Sequence, residues 1–69
     1  MTMNKVKFFC SDAYTYEYMA RVNIEHQINE FAETYEILNV SMNFFEQHHG
    51  CNYYTAAVVY KENENEASI

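Results

Sequence analysis

The chain reads as a small α+β domain, one βαββ unit whose three strands form an antiparallel sheet in the order 1-3-2 with a single helix on one face. Three observations predict this. Ile24, Ile28, Phe31 and Tyr35 recur at spacings of four, three and four residues, which places them on one face of a 3.6-period helix. Leu38, Val40, Met42 and Phe44 alternate with Asn39, Ser41 and Asn43, the period of a strand with one buried face. Tyr53 to Tyr60 is apolar at nearly every position, as expected of a strand with neighbours on both edges.

Taken in order, Lys5 to Cys10 alternates and forms the first strand, with Val6, Phe8 and Cys10 expected on the core face and Lys5, Lys7 and Phe9 opposite. Two lysines suit a sheet edge, where charge discourages pairing with other chains. Ser11 to Tyr18 is predicted to be a loop feeding a helix that starts between Thr15 and Arg21, with Ser11, Asp12 and Thr15 all suitable as caps. The helix runs to about Thr34, Ala20 extends its buried stripe, and Arg21, Glu25, Asn29 and Glu33 make a solvated flank. His26 lies opposite the stripe, as a surface residue. Glu46 to Asn52 reads as a hairpin loop in which Gly50, the one glycine, supplies a positive φ. A right-handed crossover makes strands one and two parallel, so the third strand fits between them with antiparallel neighbours on both sides. Residues 1–60 form this single domain, and 61–69, rich in Glu and Asn, form an acidic disordered tail.

Composition restricts function. With 69 residues the domain buries only about 60% of its unfolded surface, so self-association, most simply a homodimer, is expected to supplement its core. Four basic residues against ten acidic ones give a net charge of −6, which argues against nucleic-acid backbones and favours a protein target with a basic surface. No apolar run reaches membrane-spanning or signal-peptide length, so no membrane partner is expected and the cytoplasm is the predicted location. Two cysteines in a reducing compartment are expected to be free thiols.

No enzyme is predicted and no cofactor. Cys51 with His48 or His49 supplies a nucleophile and a base by type, but no third residue is placed to orient the base. The 1-3-2 order would carry the end of strand one toward the start of strand three, so Cys10, His48, His49 and Cys51 are weighed as a zinc-type ligand set, against the simpler reading of free thiols and solvated turn histidines. Partner contacts are expected from Tyr14, Tyr16 and Tyr18 on the loop, with Phe9, Phe45 and Tyr53 on the sheet face that the helix leaves bare. The competing reading has one or two of the loop tyrosines packing over the helix start. A second functional class is an oligomer that binds a flat aromatic or nucleotide-like ligand between subunits.

The segment IEHQINEFA, preceded by KVKFF and followed by YTAAVVYKE, resembles the small sporulation proteins of spore-forming bacteria. Those proteins show a Lys-rich first strand, an L-E-x-x-I-N-x-F-L helix and a final Y-x-A-x-x-x-Y strand. The similarity extends over most of residues 4 to 62, with a longer and more aromatic segment from Cys10 to Val22 and Ala32 in place of the family's Leu. It implies a βαββ fold without known enzyme activity, in a sporulation protein or a phage-borne relative. The acidic surface and the tyrosine-rich loop, set against a basic site on a target, make an inhibitor or adaptor the first functional class.

Overall fold

The computed structural model describes residues 4–47 and 50–62. Its elements are β1 (Lys5–Cys10), α1 (Glu17–Ala32), β2 (Glu36–Gln47) and β3 (Cys51–Lys61). The sheet order is β1-β3-β2 with both neighbour pairs antiparallel, as the alternation and the two-sided apolarity of the third strand predict. The helix begins at Glu17, inside the expected interval, and ends two residues earlier than expected.

The core follows from the two periodicities meeting. Ile24 and Ile28 pack from one face of α1 onto Ala56 and Val58, even-numbered residues of β3, and Phe9, Phe31, Ile37, Val40, Tyr54 and Tyr60 pack around them; Ala20, one turn earlier on the same helix face, is fully buried as well. Aromatic rings close the end near the helix C-terminus: Phe31 stands edge-on to Tyr60 at 4.7 Å and to Phe9 at 5.4 Å, and stacks on Tyr35 at 4.6 Å. Such pairs contribute about 0.5–1.5 kcal/mol each beyond the area they bury.

Two assignments of faces differ from the alternation read along the chain. In β1 the register sets Phe9 opposite Ala56 and Phe8 opposite Ala57. Phe9 therefore joins the core, while Val6, Phe8 and Cys10 lie on the open face, and Phe8 is 77% exposed. The reason is that Lys5 and Lys7 can share a face with the core at the edge of the sheet. Lys7 reaches across the rings of Phe9 and Phe31, 5.6 and 5.3 Å from their centroids, and Lys5 is paired with Glu62. That contact holds the Lys5 ammonium above its ordinary value, first through the hydrogen bond and then through the charge of Glu62.

In β2 the pairing with β3 skips a residue between Ile37 and Asn39, a bulge at Leu38. Ile37 accordingly packs with Val40 against the core, and Leu38, expected inside, is exposed.

The hairpin is tighter than expected, since Gln47 pairs with Cys51 and both strands run into the predicted loop. Gly50 has φ +71°, in the left-handed region that glycine adopts without strain. At the other end β3 continues through Lys61, opposite Glu36. Lys61, assigned to the tail in the sequence, is thus the last residue of β3, and 63–69 lies outside the described residues.

Replacing Ile28 by Asp sets an unpaired carboxylate among Ile24, Ala56 and Val58. The cooperative thermal transition should disappear in circular dichroism, whereas Glu33→Ala on the solvated flank should shift Tm by no more than a few degrees.

Candidate functional site

The β3 strand is longer than β1, and the surplus organises the segment between Cys10 and the helix. β1 pairs with Thr55 to Tyr60 only, leaving the first residues of β3 without a strand on that side. The connecting segment takes their place. Ser11 N–H donates to the Tyr54 carbonyl at 2.8 Å, and Tyr54 N–H donates to Ser11 Oγ at 2.9 Å. Further along, Tyr14 and Asn52 exchange backbone bonds of 2.9 and 2.8 Å, and the Asn52 side-chain amide donates to the Thr15 carbonyl at 2.8 Å. Both Ser11 and Asn52 are buried polar residues with their bonds satisfied.

Stitched in this way, the segment presents its tyrosines in fixed positions. Tyr14 is half-buried, while Tyr16 and Tyr18 are exposed and stack on each other at 6.1 Å. Tyr16 occupies the N-cap position in an extended conformation and makes no side-chain capping bond, so none of the expected caps serves. Asp12 instead donates its backbone N–H to the Asn23 side chain, which fastens the segment to the first turns of α1.

Beside these tyrosines α1 carries a second apolar stripe, turned away from the core. Tyr18, Met19 and Val22 are exposed, Val22 by 55%, and together with Tyr14, Asn23 and His26 they line an open groove. Periodicity analysis missed Met19 and Val22 because the buried stripe of Ala20, Ile24 and Ile28 accounts for the helix by itself. The available signal was two large apolar residues left over on a helix whose polar flank is already supplied by Arg21 and Glu25.

The groove sits in an acidic setting. Among the described residues of α1, Glu17, Glu25 and Glu30 outnumber Arg21, which spans Glu17 and Glu25 at 3.3 and 3.6 Å; His26 lies 3.3 Å from Glu30. Tyr54 donates its hydroxyl proton to Glu17, and the hydrogen bond, with lesser contributions from burial and from the carboxylate charge, raises the Tyr54 pKa above the ordinary tyrosine value.

The sheet-face candidates separate. Phe45 and Tyr53 pair on the open face with rings stacked at 5.1 Å and 14°. Phe9 belongs to the opposite face. Phe8, read as a core residue, is the most exposed large apolar side chain on the open face.

The cysteines are not brought together. Cys10 stands opposite Thr55 and Cys51 opposite Gln47, four positions apart on β3 or about 13 Å at strand rise. The overhang of β3 past β1 is the reason. Both thiols are free and exposed, and among the described residues no group of three His, Cys, Asp or Glu is arranged to hold a metal. His48 and His49 lie outside the described residues.

A raised Tyr54 pKa means that the folded state retains this proton longer than the unfolded chain. The contribution is fully present below pH 10, the ordinary tyrosine value, and is lost as pH rises through the folded-state pKa. In Glu17→Gln, Tyr54 should titrate closer to pH 10, as followed by NMR of tyrosine ring carbons. Asn52→Ala, which frees the Thr15 carbonyl, should cost about 1–2 kcal/mol in urea unfolding.

Among the described residues no helix is long and apolar enough to cross a membrane. Compared with protein-family models, with curated proteins and with solved structures, the chain matches none.

Proposed function

We propose that this protein is a non-catalytic interaction module that self-associates through its open sheet face and captures a protein partner with a basic surface. The observation that carries the reading is the exposed apolar groove of Tyr14, Tyr18, Met19 and Val22 on a helix whose charges are mainly acidic. Exposed aromatic and Met side chains on a rigid support are the residue types that dominate protein–protein contacts. The hydrogen bond that Asn52 donates to Thr15 and the one that Asn23 accepts from Asp12 hold the segment before binding, which lowers the ordering cost of docking. The charge around the groove steers a cationic partner, and the aromatic contacts set how long it stays. Acting as an inhibitor or adaptor then requires no chemistry, only occupation of the partner's basic site.

Self-association is supported by the open face. Val6 and Phe8 on β1, Ala57 and Val59 on β3, and the Phe45–Tyr53 stack form an apolar surface with small residues at its centre. Phe8 standing beside Ala57 gives each copy a projection and a shallow seat, which suits an interface between identical surfaces.

A synthetic amphipathic peptide of Lys and Leu serves as the probe for the groove. Its binding should move the NMR resonances of Tyr14, Tyr18, Met19 and Val22, and should weaken as salt is raised from 50 to 500 mM. Tyr18→Ala and Val22→Asp should each raise its dissociation rate at least tenfold with Tm unchanged. Shifts confined to other surfaces, or variants that bind like the parent, would show that the groove is not the binding site. Separately, Phe8→Lys should reduce the mass seen by light scattering.

A further inference from the structure

The two edges of the sheet differ in a way the open face does not explain. β1 is short, six residues, and carries Lys5 and Lys7, so its outer edge is guarded against another strand. β2 is twelve residues long and contains no Lys, Arg or Pro. Its outer edge is the other margin of the sheet, with backbone groups of every second residue turned away from β3. The bulge at Leu38 lies near one end and leaves Asn39 to Gln47 regular. On the helix side of this regular stretch Met42 and Phe44 remain 43% and 40% exposed, because α1 packs over β3 and β1.

We propose that the outer edge of β2 pairs antiparallel with β2 of a second copy, joining two chains into a continuous six-stranded sheet about a two-fold axis at Met42. The register follows from charge and side-chain facing. A two-fold axis perpendicular to the sheet keeps both helices on one side, so each residue meets one whose number has the same parity. With Met42 at the axis, Met42 meets Met42 of the second copy, Val40 meets Phe44 and Ser41 meets Asn43. Apolar residues then pair on the helix side, while on the open side Ser41 meets Asn43 and Asn39 meets Phe45. Glu46 falls beyond the regular overlap of Asn39 to Phe45, at the level of the bulge. Centring on Ser41 instead would confine the overlap of the regular stretch to Asn39 to Asn43. Centring on Asn43 would set the Glu46 carboxylate opposite the apolar Val40 on the helix side.

This interface is additional to the open-face contact and leaves that face free. Since each chain carries a net charge of −6, pairing of identical copies should strengthen with salt, the reverse of capture of a basic target.

The test uses the full chain at micromolar concentration in sedimentation velocity, with Met42→Lys, Met42→Glu and Phe8→Lys. If β2 joins two copies, Met42→Lys and Met42→Glu each lower the assembled mass by half. Mixing them restores it, because position 42 meets itself across the axis. With Cys10 and Cys51 changed to Ser, Met42→Cys should oxidise to a covalent dimer of twice 8.2 kDa, since directly opposed Cα atoms lie about 4.5–5.5 Å apart, within disulfide reach. If Phe8→Lys has no effect while these results hold, the edge pairing stands and the open-face reading falls. If both Met42 charge variants keep the parent's mass and Met42→Cys does not cross-link, the edge pairing is overturned, and another protein's strand or none occupies that edge. A parent chain that sediments as a monomer overturns it as well.

Discussion

The structure depends on one mismatch of length: a single helix of 16 residues, about 24 Å long, must cover strands of 11 and 12 residues that extend about 36–40 Å. The helix settles over β3 and β1, where Ile24 reaches Val58 and both side chains are fully buried. What lies beyond its reach needs another cover. At the hairpin end of β3 the stitched segment from Ser11 to Tyr16 supplies it, with Asn52 as the joint. Along β2 nothing in the described chain does so, and Met42 and Phe44 stay half-exposed.

The same mismatch explains why the surface is rich in apolar side chains. A larger domain would fold a second layer over the open sheet face; this chain has no further element among its described residues to do so. The open face with Phe8 and the Phe45–Tyr53 stack, and the Tyr18–Met19–Val22 stripe of the helix, are thus two separate surfaces facing different directions. One side of a helix cannot be both core and groove, and α1 resolves this with two apolar stripes divided by Arg21, Glu25 and their ion pairs.

Much of the architecture was legible in the sequence because period and topology reinforce one another. The helix stripe, the central third strand and the glycine turn each constrained the others, and the 1-3-2 order followed from them. What escaped was information carried by pairing rather than by pattern. Phe8 and Phe9 are adjacent aromatic residues on opposite faces, and the register with β3 and the lysine contacts with the rings of Phe9 and Phe31 show which belongs inside. The distance between Cys10 and Cys51 depends on how far β3 overhangs β1, which strand periodicity does not encode. Among the site residues, Tyr14 and Tyr18 were legible as leftovers of both periods; Met19 and Val22 were hidden by the stronger stripe next to them.

The bulge at Leu38 acts on β2 as a phase shift acts on a wave. Upstream of it odd-numbered Ile37 faces the helix; downstream the even-numbered Val40, Met42 and Phe44 do. An insertion or deletion of one residue in a strand ordinarily turns every following side chain to the wrong face. Here the extra residue absorbs the offset between the turn after α1 and the regular part of β2, so the connection from the helix can be reached in one phase while the hairpin is built in the other. The two ends of the strand are thereby decoupled: the spacing that sets Tyr35 and Ile37 against the aromatic cluster need not be in step with the spacing that aligns Phe44 with Tyr54 and Phe45 with Tyr53.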